Sequence, residues 1–228
     1  MTTSDRILAA ATELLAASAT GDISTRAVCE AAGVTQPVLY RAFGDKDGLL
    51  AAVANSVWEG YLTSKRAAQP SADALADLTA GWDAHTEFAL ANPHAYRLIF
   101  GTGLRGSSHA AREAMALLEA ILERLARQGR LRVDPATAAT IVMAANTGIA
   151  LGLLTQPQLF PDAAASATVR DATLRAILTE APHHPAHAAA ATLRAHLPHT
   201  TAFTQAESAL CDEWLQRFQH IDTKEHHD

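Results

Sequence analysis

The stretch from Ile23 to Leu50, ISTRAVCEAAGVTQPVLYRAFGDKDGLL, constrains the chain more than any other, because it spells two short helices joined by a tight glycine turn. Ser24 or Thr25 starts the first helix, its hydroxyl capping free backbone N–H groups, and the helix runs through Val28 to Ala31 or Ala32. Gly33 makes the turn, where a positive φ is needed and a missing Cβ removes the clash. Val34 fills the angle between the helices. Thr35 is expected to cap the second helix, with Gln36 at its first position and Pro37 in the first turn, where the absent N–H costs little. That helix is predicted over Gln36 to Phe43. Helical spacing turns Val38, Leu39 and Phe43 inward and leaves Thr35, Gln36, Pro37, Tyr40 and Arg41 outward, where a DNA major groove would meet them.

The run RILAAATELLAASATGD precedes this segment. Together they carry Ile7, Leu8, Ala10, Ala11 and Leu14, then Ala32, Gly33, Val34 and Thr35, then Leu39, Tyr40 and Phe43, then Lys46, Leu49 and Leu50. In that register, over about residues 5 to 55, the chain resembles the DNA-binding domain of the TetR family of bacterial one-component repressors. The resemblance implies an all-α protein, with an N-terminal three-helix helix-turn-helix domain and a C-terminal helical effector and dimerisation domain. It implies boundaries at 1–50 and 51–220, and leaves a polar tail at 221–228. It also implies double-stranded operator DNA, a small-molecule effector and a second copy of the chain as partners. With the outward positions above, it nominates Ser24, Thr25, Arg26, Thr35, Gln36, Pro37, Tyr40, Arg41 and Lys46 as DNA contacts. The chain departs from the family at Leu15, where an aromatic is common, at Ala19, near which a glycine is usual, and at Ala42, where a phosphate-touching histidine or tyrosine is common. Cys29 takes a usually small, buried position, where a free thiol acts as a compact hydrophobe.

Charge agrees with a specific binder rather than a coater of nucleic acid. The net charge is -6, and even residues 1–65 hold seven acids against five bases. Residues 31–44, however, contain Arg41 and no acid, so a small basic edge sits on a repelling body. At 228 residues and 49% hydrophobic content, the chain can bury one small and one larger domain. No apolar run is read as long enough to span a bilayer and no leader is seen, which leads to a cytoplasmic location without membrane contact. Cys29 and Cys211 are too far apart in sequence and context to suggest a disulfide.

Beyond residue 50 the periodicity stays helical. Asp45 caps a fourth helix carrying Leu49, Leu50, Val53, Val57, Tyr61 and Leu62, which Gln69 and Pro70 break. Ser71 is expected to open the next helix, with Leu75, Leu78, Trp82 and Phe88, until Asn92 and Pro93 interrupt. A short helix follows in PHAYRLIF; ANPHAYRLIF resembles a segment of some TetR-type effector domains. After the loop GTGLRGSS, a long helix ends near Gly129. Asp134 and Pro135 open another that reaches Leu154. A further helix is predicted over Thr168 to Glu180, then a His/Pro-rich link from Pro182 to His187, a short Ala-rich helix and a last amphipathic one over Thr204 to Gln219. The last two exceed the commoner nine-helix plan of the family and would either lid the pocket or enlarge the dimer interface.

Facing helices in this region nominate Trp82, His85, Phe88, Phe100, Met115, Met143, Asn146 and Thr147 as effector contacts, an apolar wall with a few polar anchors. Side chains of these types form ordinary core more often than ligand wall. Asn146 stands out because a buried amide needs partners that either a ligand or the backbone can supply. Ala144, Ala145, Gly148 and Gly152 make the helix Ala136 to Leu154 suited to close approach, either to a second copy through a four-helix seam with Thr168 to Glu180 or within one subunit. A single recognition helix reads few bases, which favours the dimer.

A metal site and an enzyme fit the sequence less well. His183, His184, His187, His196 and His199 are close in sequence, but Pro185 and the lack of cysteine or carboxylate companions argue against a metal site. His220, His226 and His227 lie in the polar tail. No H-E-x-x-H, G-x-S-x-G, phosphate-loop or dinucleotide motif is present, so no catalytic residue and no cofactor is expected. The alternatives to a ligand-released repressor are a DNA-binding protein of this type without a ligand and, last, an enzyme on a helical scaffold.

Overall fold

In the N-terminal third, helix boundaries follow from residues that satisfy orphan backbone groups. In the computed structural model, which describes residues 2–101, 108–179 and 185–219, α1 spans Thr3–Ala17, α2 Thr25–Ala32, α3 Gln36–Phe43 and α4 Lys46–Ala67. Thr2 and Asp5 form a capping box at the start of α1. Ser24 Oγ accepts the Ala27 N–H at 3.4 Å, and Asp45 accepts the Gly48 N–H at 2.7 Å. Thr35 precedes α3 but its side chain makes no capping bond, so the expected hydroxyl cap is absent and the extended Thr35 backbone alone begins the helix.

The remaining helices are α5 (Ala74–Ala91), α6 (Pro93–Phe100), α7 (Ser108–Arg127), α8 (Pro135–Thr155), α9 (Ala164–Ile177), α10 (Pro185–His196) and α11 (Gln205–Gln219), with a 3₁₀ turn at Leu197–His199. The all-α expectation holds. Among the described residues the non-helical pairing is one isolated antiparallel bridge between Leu131 and Leu178. Three predicted starts move. α5 begins at Ala74 rather than Ser71, because the Asp73 carboxylate takes the Leu75 and Ala76 N–H groups while Ser71 bonds to Asp77 in the preceding loop. α9 begins at Ala164, where Asp162 accepts the Ala164 N–H, and ends at Ile177 because the next residue joins the bridge to Leu131. α10 begins on Pro185 itself, which shortens the expected link. The tail 221–228, with His183, His184 and His220, lies outside the described residues.

The chain divides into two compact units. The first comprises Met1–Gln69, Asp83–Ala114 and Thr147–Ser166. Within it Ile7, Ala11, Leu15, Val28, Leu39, Leu49 and Val53 form a buried core, against which Leu8, Val34, Val38, Phe43 and Leu98 pack. Ala89, Tyr96 and Ala150 form a second cluster with Phe88, Phe100, Leu151 and Leu154. The other unit comprises Pro70–Trp82, Met115–Asn146 and Ala167–Asp228, with Leu78, Trp82, Leu122, Leu125, Ala139, Val142 and Ile177 buried. Arg124 pairs there with Asp77 at 2.5 Å, and Arg194 with Asp212 at 2.7 Å joins α10 to α11.

Two glycines fix the turns around α3. Gly33 has φ +64°, a left-handed conformation that ends α2, and its N–H reaches the Glu30 carbonyl. Gly48 is needed for space: a Cβ there would lie 2.1 Å from the Phe43 carbonyl oxygen, so the end of α3 can rest on the first turn of α4. Gly60, on the same helix, faces open space. Gly48→Ala should destabilise the protein by about 1–3 kcal/mol in spite of its better helix propensity. Gly60→Ala should be neutral or stabilise by about 0.5–1 kcal/mol. Urea unfolding of the two variants checks this, and equal stabilities would remove the close approach as a constraint.

Candidate DNA-binding face and buried aromatic site

The outward residues of α3 are where helical spacing predicts them. Leu39 is fully buried and Val38 and Phe43 are half-buried against the N-terminal core, while Thr35, Gln36, Pro37, Tyr40 and Arg41 are exposed. Ala42 is also exposed and too short to extend this face. The Tyr40 hydroxyl lies 3.4 Å from Thr25 Oγ1, a hydrogen bond from α3 back to the start of α2 that holds the phenol at the edge of the face. Arg26 is exposed beside it in sequence, and Ser24, also exposed, spends its Oγ on the cap. Lys46, at the first position of α4, pairs with the Asp22 carboxylate. Both partners are substantially exposed, and the bond and charge of Lys46 hold the Asp22 carboxyl below its usual range. The N-terminus of α4 already carries Asp45 and Asp47, so the ammonium rather than the helix end supplies positive charge there.

The residues nominated as effector contacts fall in both units. His85, Phe88, Phe100 and Thr147 belong to the first unit, whereas Trp82, Met115, Met143 and Asn146 belong to the second. The Asn146 side chain donates to the Trp82 carbonyl at 3.1 Å, so the backbone alternative describes this amide. Trp82 is buried core and Met115 and Met143 are half-buried.

Around His85, Phe88 and Phe100 the first unit builds a dense aromatic site that helical spacing had only half disclosed. Trp58, from α4, is 1% exposed, and its ring centre lies 4.9 Å from Tyr61, 5.3 Å from Phe88 and 5.3 Å from Phe100. Tyr96, from α6, is fully buried, stacks at 4.6 Å on Phe100 and holds its hydroxyl 2.7 Å from His85 Nε2. Trp58 and Tyr96 were missed, and Tyr61 was read only as core. Trp58 sits four residues from Ala54 and four from Leu62 on the buried stripe of α4, and Tyr96 sits four before Phe100, so the period was there to be read.

Polar satisfaction within this site is incomplete. Trp58 Nε1 and Thr147 Oγ1 are buried without a hydrogen-bond partner. The Thr147 hydroxyl acts on the Tyr96 phenol, lowering its pKa against the larger effect of burial. Burial pushes both the Tyr61 and the Tyr96 phenols above the ordinary tyrosine range. Burial first, and the Lys65 charge second, lower His85 to about 4, so the imidazole is neutral at physiological pH.

The sequence matches two family models, "Bacterial regulatory proteins, tetR family" over residues 7–53 and "Tetracyclin repressor-like, C-terminal domain" over residues 78–170. Similar folds occur in a tetR-family transcriptional regulator from Pectobacterium atrosepticum (TM-score 0.66, 23% identity, covering 78% of this chain and 95% of that one). They occur also in SmeT, the repressor of the Stenotrophomonas maltophilia multidrug efflux pump SmeDEF (TM-score 0.61, 21% identity, 81% and 94% covered). NalD, the secondary repressor of the Pseudomonas aeruginosa MexAB-OprM multidrug efflux pump, is a third (TM-score 0.54, 20% identity, 78% and 98% covered). No curated protein matches the chain. A helix-turn-helix with an exposed second helix, followed by a helical C-terminal region, defines a DNA-binding transcriptional regulator. The chain belongs to the tetR family of bacterial regulatory proteins.

The neutral His85 has a thermodynamic consequence. An unfolded histidine takes up its proton near pH 6.5, whereas the folded group resists until about 4. Its contribution to stability is therefore complete above pH 6.5 and is lost as pH falls between the two values. From about pH 7 to about pH 5, wild type should lose about 2 kcal/mol more than His85→Gln, measured by urea unfolding. Parallel losses in the two proteins would mean that His85 is not held neutral.

Proposed function

We propose that the chain is a homodimeric repressor that leaves a pseudo-palindromic operator when a small, mainly hydrophobic molecule enters the aromatic site. The observation that carries the DNA half is the exposed row Thr35, Gln36, Pro37, Tyr40 and Arg41 on a helix whose other face is locked into the N-terminal core. Gln36 reads a base edge, Tyr40 touches a phosphate or thymine methyl, and Arg26, Arg41 and Lys46 meet backbone. Residues 1–50 act as the DNA-binding part and 51–220 as the sensing and dimerising part. Such a protein works in the cytoplasm, beside the chromosome, and needs neither a catalytic centre nor a cofactor.

Dimerisation is supported by α8. This helix has no charged residue, and an 18-residue window reaches a mean hydropathy of 1.6, yet only 33% of that window is buried. By length and composition alone it is long and apolar enough to cross a bilayer, a test that the core helix of a soluble protein also passes, and this corrects the expectation that no run is apolar enough. Its exposed residues recur as Thr137, Ile141, Ala144 and Gly148, one seam of small and apolar side chains at helical spacing. α9 exposes Thr168, Ala172 and Ala176 at the same spacing, flanked by the charged Asp171 and Arg175. Four such helices from two copies would bury what a lone protomer leaves open, and would set the recognition helices about 34–36 Å apart.

The DNA half is tested by selection on random sequence followed by titration in salt. Gln36→Ala should relax preference at one base-pair position by about 1–3 kcal/mol. Lys46→Ala should weaken all sequences alike and reduce the salt slope by about 0.9, while Asp22→Asn, which frees the ammonium, should strengthen them alike. Uniform weakening by Gln36→Ala, or an unchanged slope in Lys46→Ala, would remove that residue from its role.

The seam is tested at Gly148, where an added Cβ meets nothing within its own protomer. Gly148→Glu should therefore leave the fold intact, gain about 0.5–1 kcal/mol of intrinsic helix stability, and yet give monomers that no longer hold the operator. Light scattering beside DNA binding decides it. A dimer of wild-type affinity would place the interface elsewhere.

A further inference from the structure

Resting on the reading that the aromatic site receives the effector, we infer that its ligand is a flat aromatic molecule carrying a hydrogen-bond-acceptor oxygen, uncharged at that end, whose oxygen takes the Trp58 indole N–H and the Thr147 hydroxyl. An enclosure of rings by itself would equally suit a cation held over π faces. Three observations point away from that. The Trp58 Nε1 is a donor only, sits in a side chain 1% exposed and has no partner, so the complementary group is an acceptor. Thr147 Oγ1 is the other buried atom in the same condition, and it lies beside Tyr96, which stacks on the Phe100 ring that Trp58 also touches. The face of Tyr61 already has a cation, Lys65 Nζ, 5.3 Å from the ring centre.

His85 and Tyr96 satisfy each other at 2.7 Å and need nothing from a ligand. Among the described residues the unmet demand of the site is therefore confined to two groups, each of which can donate a hydrogen bond to an acceptor oxygen. A carbonyl accepts two such bonds through its two lone pairs, while its attached ring replaces one of the edge-to-face contacts now made by Phe88 or Phe100.

The test uses three molecules of one shape, titrated into the full-length protein by calorimetry: acetylnaphthalene, which has the oxygen; ethylnaphthalene, which lacks it; and naphthyltrimethylammonium, which replaces it by a cation. Acetylnaphthalene should bind about tenfold tighter than ethylnaphthalene, and the ammonium compound should bind most weakly. In Trp58→Phe, which keeps an aromatic ring and removes the N–H, the first preference should shrink to near unity. Thr147→Val, a near-isosteric change, should reduce it in the same direction and carries the test if Trp58→Phe does not fold. Equal binding of the two neutral compounds, weakened alike by Phe88→Ala, would overturn the acceptor inference and leave the aromatic site standing as the effector site. A preference for the ammonium compound would do the same. A preference for the ketone that survives both substitutions would show that other groups meet the oxygen, and would overturn the assignment. Binding by none of the three would overturn the inference and the effector-site reading together.

Discussion

The continuity of α4 is the constraint on which the rest of the first unit depends. Over 22 residues, about 33 Å at 1.5 Å per residue, one hydrogen-bonded rod is buried at its start by the N-terminal core, through Leu49 and Val53, and further along by aromatic rings, through Trp58 and Leu62. It has no proline within it, and a helix without one resists sharp bending. On the proposed reading, a change in how the rings pack around Trp58 would be carried along this rod to the floor on which α3 rests, where Gly48 lies against the Phe43 carbonyl. α6 makes a second connection of the same kind. Leu98 packs into the N-terminal core, His94 Nε2 lies 2.7 Å from the Ser18 carbonyl, and between them in sequence Tyr96 enters the aromatic site. The α1–α2 loop is gripped closely there: a Cβ on Gly21 would meet His94 Nδ1 at 2.6 Å.

What was legible in the sequence divides along physical lines. The helix-turn-helix was readable almost to the residue, because its turns demand particular chemistry: a left-handed Gly33, Asp45 as a cap, Pro37 in a first turn. Burial on α3 followed from period alone. Two helix starts were misread because spacing does not say which carboxylate or hydroxyl will cap; Asp73 prevailed over Ser71, and Asp162 sets the start of α9 four residues before the expected Thr168. The aromatic site was half legible for a different reason. Period assigns a residue to a face but not to a neighbour, so Trp82 and Asn146, which satisfy each other, looked the same as His85 and Phe88, which belong to the aromatic site. Trp58 lies on the α4 stripe with Ala54 and Leu62, one position beyond Val57, and a stripe that runs through Val57 and Tyr61 places it at the edge rather than at the centre.

Charge placement explains how an acidic protein can present a DNA-binding edge. Several bases are paired with acids in the folded state: Lys46 with Asp22, Arg66 with Glu59 and Glu113, Arg124 with Asp77, Arg194 with Asp212. Arg26 and Arg41 remain exposed at the recognition end. A net charge of -6 repels a polyanion at long range, so productive approach requires the basic edge to lead. On the proposed reading, in which Lys46 meets the DNA backbone, the Asp22–Lys46 pair adds a threshold to that approach. Both side chains are exposed, where ion pairs contribute little to stability, and a phosphate can replace the carboxylate with little loss to the fold.

The incomplete hydrogen bonding of the aromatic site bears on the energetics of switching rather than on architecture. A buried donor without a partner costs about 1–3 kcal/mol relative to one that is satisfied, and two are present, on Trp58 and Thr147. On the proposed reading, a ligand that supplies the missing acceptor recovers part of that cost in the arrangement it occupies and recovers none in an arrangement where it is excluded. Only such a difference can shift an equilibrium between two arrangements; tight binding to both would shift nothing. Because Trp58 belongs to α4, the group that senses the ligand and the rod that supports α3 are the same helix, and effector and operator then oppose one another by equal and reciprocal amounts of free energy.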